Sequence, residues 1–450
     1  MKIKLPYGKA TVPVAIPDQN LMLVANPAGK ITAASAETEE IRKALANPIG
    51  TEPLKALAAK LGPQDSVALI VSDYTRPTPT SRILPPLLEE MQSAGVRLEQ
   101  ITIVFASGLH RPMTKEEMDK ALGPLASKLS AISHDAYNDP CVALGTSKNN
   151  TPIEINSRVA EARLKISISA IDPHHAAGWS GGGKNIMPGV SSKHAILTHH
   201  KQMLSPGVAI AVFDGNPFRE DIEEIAVTVG VDFICNVLLN EDKKIARAFC
   251  GDVIKAHRAG AKFSEDFLSV KIPQPADIVI ATPGGAPRDS NLWQTEGKAL
   301  TRVKDVIRPG GIIILVSECA EGVGQAEFQK YIENNLAQGD FQGVLNRIKE
   351  MPFSVLTNKI ARIAKLLQMC NIYIVTSDKI KSVLVNSPFY FYASVQEAFD
   401  AALAKIGPAA NVLVVPEAPG VVLKLPRSTS PVVYNEQLVL SITASVIPKE

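Results

Sequence analysis

The 450-residue chain has only five cysteines, at 141, 235, 250, 319 and 370, and no Cys-x-x-Cys. An odd, scattered set argues against a disulfide framework or a zinc ribbon and favours a reducing cytoplasm. Charge of one sign is equally scarce: 47 Lys and Arg face 45 Asp and Glu, a net of +2, with no basic block. Nucleic acid and anionic membrane are therefore poor candidates for the main partner. Long apolar runs are missing as well. The longest, such as Ile312-Ile313-Ile314-Leu315-Val316, have the length of a strand and are far too short to span a bilayer. The opening Met1-Lys2-Ile3-Lys4-Leu5-Pro6-Tyr7 lacks the apolar stretch and small-residue cleavage site of a secretory signal. Internal repeats and low-complexity tracts are absent.

What the chain does contain is an alternation of short β-branched runs with helical patterns. Val67–Val71, Ile101–Phe105 and Ile166–Ile171 read as buried strands, with a helix over 83–94 between the first two. Thr114-Lys115-Glu116-Glu117 has the form of a capping box and should start a helix. A second series follows Pro273-Gln274-Pro275: strands at 276–281, 312–316, 372–375 and 412–415, with helices near 290–307, 358–368 and 394–404. This order predicts an α/β protein of two domains with mostly parallel sheets flanked by helices, and an active site in the interdomain cleft. The expected division is 1–270, rejoined by 405–450, and 271–404.

Reactive side chains concentrate where strands should end. The densest stretch is Asp172-Pro173-His174-His175-Ala176-Ala177-Gly178-Trp179-Ser180-Gly181-Gly182-Gly183-Lys184, with His199 and His200 shortly after. Glycines at 181, 182 and 183 would let the backbone approach a ligand, Lys184 offers a cation or nucleophile, and histidines offer proton transfer or metal ligation. Other strand ends carry Asp73-Tyr74-Thr75-Arg76-Pro77, Gly108-Leu109-His110-Arg111-Pro112 and Thr282-Pro283-Gly284-Gly285. Ligands of open parallel sheets bind beyond the carboxyl ends of strands, so these loops could line one cleft.

Each feature also has an ordinary explanation. Asp73 and Arg76 would make a turn ion pair, Gln294 and Lys298 would share a solvated helix face, and His134 and His257 would be structural. Of the tandem His199 and His200, at most one points inward at a given site. Gly178 to Lys184 also fits the first seven positions of a P-loop, which makes a nucleotide-dependent phosphotransferase the runner-up; Asn185 stands where that loop needs Ser or Thr. A non-catalytic binding protein on the same fold is a third reading.

Taken together, Pro173-His174-x-x-Ala177-Gly178-x-Ser180-Gly181-Gly182-x-Lys184, then Pro188-Gly189 and His200, resemble the signature of the nickel-dependent lactate racemase family. The Gly108–Pro112, Asp73-x-x-Arg76-Pro77 and Gly284-Gly285…Gln294…Lys298 segments resemble that family's motifs in the same order, over roughly residues 35 to 420. The resemblance implies an isomerase, a racemase or epimerase that inverts C2 of a 2-hydroxy acid by proton-coupled hydride transfer to a nickel-pincer nucleotide. Lys184 matches the lysine that holds this cofactor covalently. His200, with His199 beside it, matches the nickel ligand. His110 and His174 match the catalytic histidines, Arg76 the substrate or orienting arginine with Asp73 as its support, and Gln294 and Lys298 the substrate contacts from the second domain. Cofactor-biosynthesis proteins are the implied macromolecular partners. Small residues at 176 and 177, and no aromatic in Leu356-Thr357-Asn358-Lys359, suggest a roomier pocket than lactate needs.

Overall fold

The computed structural model describes residues 1–26, 31–240, 242–286, 288–351 and 353–426. Two six-stranded sheets organise them. In the first, the order is Ile245–Gly251, Phe233–Leu239, Leu164–Ala170, Val67–Ser72, Ile101–Ala106 and Ser130–Ser133, parallel except for the first strand. Every residue of Val67–Ser72 and Leu164–Ala170 is buried, as expected of central parallel strands covered on both faces. Alternation divides their side chains between two cores: Val67, Leu69 and Val71 face one layer, Ala68 and Ile70 the other. The anticipated helix between the first two strands spans Thr80–Ser93, and the capping box at Thr114 forms, with Glu117 N–H donating to its hydroxyl at 3.3 Å.

The second sheet is wholly parallel, ordered Tyr390–Tyr392, Asn371–Val375, Ile307–Val316, Ala276–Ala281, Val412–Val415 and Leu21–Val24. Here the expected division fails at both ends of the chain. Val412–Val415, all four residues buried, lies inside this sheet between Ala276–Ala281 and Leu21–Val24 rather than returning to the first. The hairpin Lys2–Tyr7/Ala10–Ala15 buries Ile3, Leu5 and Val14 against Ile278, Ile312 and Phe399, so residues 1–24 also belong here. A fully apolar strand needs neighbours on both sides and layers on both faces, and Val412–Val415 finds them between Ala276–Ala281 and Leu21–Val24. Residues 427–450 of the expected returning tail lie outside the described residues.

A second departure is local. The helix expected over 290–307 is Leu292–Thr295, a π-helical turn Glu296–Leu300, and Thr301–Val303, followed by a strand that begins at Ile307. π-Turns insert a residue into the helical register and recur at functional sites. Gln294 and Lys298 flank its start, so they do not stack as an α-helical i, i+4 pair would. Among the described residues, no helix is long and apolar enough to cross a membrane.

Candidate active site

Three successive parallel strands of the first sheet deliver the site. Val67–Ser72 ends in Asp73, Ile101–Ala106 is followed by His110, and Leu164–Ala170 runs into Asp172 to Lys184. Val67–Ser72 is flanked by the other two on opposite sides, so the loops diverge around a switch point at the carboxyl edge.

Asp73 is nearly buried, and its Oδ2 takes a hydrogen bond from His110 Nδ1 at 2.7 Å. Its Oδ1 accepts from the Thr75 hydroxyl at 2.6 Å. The carboxylate therefore holds His110 with the proton on Nδ1, which leaves the Nε2 lone pair free on a largely exposed ring. Asp73 pairs with His110 in this way and not with Arg76, whose side chain is exposed on the same loop.

His174 is held oppositely. The backbone N–H groups of Ala176 and Ala177 donate to its Nδ1 at 3.2 and 3.0 Å, so the proton of the neutral ring sits on Nε2. His175 stacks on it with centroids 4.6 Å apart. Desolvation, then the charge of Lys184 and the neighbouring His175, press the His174 pKa well below the usual histidine value. Lys184 is depressed in the same manner, by burial first and then by Arg76 and Arg219, with Asp73 opposing. Burial thus favours the uncharged amine, the form that keeps a lone pair.

The glycine turn before Lys184 is explained by the protein's own packing. A Cβ on Gly182 would lie 2.7 Å from the His257 ring, one on Gly181 2.9 Å from Asn236 Oδ1, and one on Gly183 2.7 Å from Ala226 Cβ. Gly181 and Gly182 also have φ of +88° and +59°, in the region that favours glycine. Close approach of a ligand, the sequence expectation, is not what fills that space. Asn236 Oδ1 accepts from Gly182 N–H at 2.8 Å, while His257 bridges the Ser180 carbonyl and the buried Arg219. The phosphotransferase reading fails here. Gly182–Asn185 is a 3-10 turn rather than the first turn of an α-helix, and Asn185 donates to the Ile70 and Ile168 carbonyls, tying two strands together.

His199 and His200 end the helix Lys193–His200. His199 is fully buried against Phe218, and burial pushes its pKa down to about 4. His200 stays partly accessible, with Phe353 of the second domain 5.6 Å away. Among the described residues no three His, Cys, Asp or Glu side chains converge as a metal cluster, so a metal at His200 would draw its other donors from a bound group.

The second domain closes over this edge. Arg302 Nη2 donates to the Pro173 carbonyl at 3.1 Å, fastening the segment that carries His174. Among the described residues Lys298 Nζ donates to the Arg288 carbonyl, at 3.3 Å, and Gln294 is exposed. Behind them Glu296 is fully buried and binds Arg362 at 2.6 Å and Lys359 at 3.1 Å. Burial alone would raise its pKa, but these two cations hold it at about 2.

Sequence reasoning missed Arg302, Glu296, Lys359 and Arg362. The only available signal was that Arg302 continues the Lys298 helix and that 359 and 362 share one helical face. The roomier pocket loses its basis: Ala176 and Ala177 are core residues packed with Ile186 and Val190, and Phe353 and Trp293 supply aromatic rings near the cleft.

Comparison with known proteins agrees with this geometry. Residues 7–211 match the lactate racemase N-terminal domain and residues 271–423 the lactate racemase C-terminal domain. The chain is 34% identical to the lactate racemase of Thermoanaerobacterium thermosaccharolyticum over 351 residues, which cover 77% of this chain and 80% of that protein. It is 33% identical to the lactate racemase of Lactiplantibacillus plantarum over 441 residues, 94% of this chain and 99% of the relative. The solved lactate racemase apoprotein from T. thermosaccharolyticum superposes with a TM-score of 0.83 at 29% identity, covering 94% of this chain and all of that one. A Thermotoga maritima protein, at TM-score 0.61 and 18% identity, shares the fold over 88% of this chain and all of its own. The chain is a member of the lactate racemase family, and so of the racemase class of isomerases.

Proposed function

We propose that this protein racemises or epimerises a 2-hydroxy acid at C2, with a nickel-pincer nucleotide held on Lys184 and His200. The observation that carries the reading is the setting of Lys184: it ends the strand-end segment that also carries His174, and burial, Arg76 and Arg219 all favour its uncharged form, with Asp73 opposing. The residues fit the group. An uncharged lysine carries the lone pair that covalent attachment requires, and the His200 imidazole is a suitable nickel ligand. When bound, the cofactor would accept hydride from C2 and return it to the opposite face.

The chain's own side chains handle the proton. His110 Nε2 takes the hydroxyl proton, and Asp73 stabilises the imidazolium that results. His174 faces the reacting oxygen with the Nε2–H that its backbone contacts impose. Arg76 binds the substrate carboxylate, and Gln294 and Lys298 approach from the second domain. Closure, marked by the Arg302–Pro173 contact, keeps water from a 2-keto intermediate.

Turnover of single enantiomers in deuterium oxide, followed by chiral chromatography and mass spectrometry, tests the reading. Hydride return predicts inversion with C2 keeping its hydrogen. Deuterium at C2 would mean that the carbon loses a proton to solvent-exchanging bases, and no inversion of any 2-hydroxy acid would remove the proposal.

A further inference from the structure

His199 is buried, cannot reach the cleft and has no part in the proton transfers above, yet its ring contacts are unusually complete. Its Nε2 lies 3.0 Å from the Phe218 carbonyl oxygen. Two oxygen lone pairs cannot be shared with a nitrogen lone pair, so this nitrogen must carry the proton and donate it. Asp221 Oδ2, 3.9 Å from the same nitrogen, reinforces that choice. The Asp221 carboxylate is itself fixed by Ser147, by Thr151 Oγ1 at 2.5 Å and by Gln202 Nε2 at 2.8 Å. With Nε2 protonated, Nδ1 of a neutral His199 is an acceptor.

That acceptor faces Nδ1 of His200 at 3.4 Å, the two rings meeting at 70°. Had His200 its proton on Nε2, two lone pairs would oppose each other across this contact. With the proton on Nδ1, His200 donates to His199. The Nε2 of His200 is then left with an unshared pair.

We infer that His199 is a positioning residue: anchored by the Phe218 carbonyl and Asp221, it fixes His200 in the Nδ1–H tautomer and commits its Nε2 lone pair to the metal. Outer partners of this kind orient metal-bound histidines and set their basicity. The inference rests on the reading of His200 as the nickel ligand, but the tautomer exists in the metal-free chain and can be observed there. It also accounts for the tandem pair: one histidine serves the metal and the other sets its proton.

Selective 15N-histidine labelling of the metal-free full chain, with two-bond 1H–15N correlation, reads the tautomers directly. The expected result is Nδ1–H for His200 and Nε2–H for His199. In His199→Phe, which keeps a ring against Phe218 but offers no acceptor, His200 should revert toward the Nε2–H form. Protein from cells that make the cofactor gives the second readout. His199→Phe should keep the mass adduct on Lys184 while nickel per adduct falls about tenfold or more, and His199→Asn, with an oxygen acceptor near the Nδ1 position, should recover much of it. An Nε2–H tautomer for His200 in the parent chain overturns the inference. So does an unchanged His200 tautomer in His199→Phe. A parent chain with neither adduct nor nickel would instead refute the cofactor reading, and the tautomer result would stand apart from it.

Discussion

His110 and His174 follow strands of one sheet, one beyond Ile101–Ala106 and the other beyond Leu164–Ala170, yet their surroundings fix the ring proton on opposite nitrogens. The Asp73 carboxylate holds the His110 proton on Nδ1, on a ring open to solvent. Two amide N–H groups occupy Nδ1 of His174 and leave its proton on Nε2, while burial and the nearby Lys184 disfavour a positive ring there. The first histidine is thus prepared to take a proton at Nε2 and the second to present one there. For His174 to accept a proton at Nε2, the proton already there must move to Nδ1 and displace both amides. The pair is therefore complementary in its resting state.

The largest effects should come from removing either side. His110→Asn and His174→Asn should each lower kcat by about 10²–10⁴-fold, the usual value of positioned acid–base catalysis, as read by chiral chromatography. Comparable activity in either variant would break the comparison outright. Asp73→Asn removes the charge behind His110 while leaving the Lys184 adduct detectable. A loss of about 10²-fold or more in kcat, with little change in KM, is expected because the ring then lacks its tautomer anchor.

A smaller effect concerns stability. Glu296→Gln strands Lys359 and Arg362 beside a neutral group, and breaking a buried pair of this kind costs about 3–5 kcal/mol, measurable by denaturant unfolding. The pH dependence has a definite sign. The folded value of about 2 lies below the ordinary carboxylate range, so the contribution is complete above the unfolded value and fades as pH falls toward about 2. Glu296→Gln should lose that part of the acid sensitivity.

The smallest effect sharpens the picture at Lys184. Its pKa is lowered by folding, so the unfolded chain binds more protons between the folded value and 10.5, and stability rises with pH through that interval. Below 10.5 the depressed Lys184 is therefore a burden on the cofactor-free fold. Lys184→Met should raise the Tm of that form by about 1–3 °C, the scale of a mild stabilisation, while eliminating the adduct. A lowered Tm would show that the lysine is charged and paired in the folded protein.

Much of this was legible in the sequence. Val67–Ser72 is an apolar run and Leu164–Ala170 a β-branched alternation, both bounded by turn residues, and the reactive clusters directly after them had to fall on the carboxyl edge. The tandem His199-His200 and the Pro-His segment also announced themselves. Long-range pairing was not legible. Nothing local in Leu21–Val24 or Val412–Val415 says that they join the second sheet, because strand partners are chosen by packing across nearly four hundred residues. The π-turn at Glu296–Leu300 was hidden for a related reason: the buried ion pairs of Glu296 with Lys359 and Arg362 hold it, and they connect positions more than sixty residues apart. Nor could the sequence show that glycines 181 to 183 are needed by His257, Asn236 and Ala226.

The central claim is that Lys184 carries a nickel-bearing cofactor, and one measurement meets it directly. Peptide-level mass spectrometry with nickel quantification, on protein from cells that make the pincer nucleotide and receive nickel, should show an adduct on the Lys184 peptide and nickel accompanying it. An unmodified Lys184, in a host where a control lactate racemase is modified, would contradict the account.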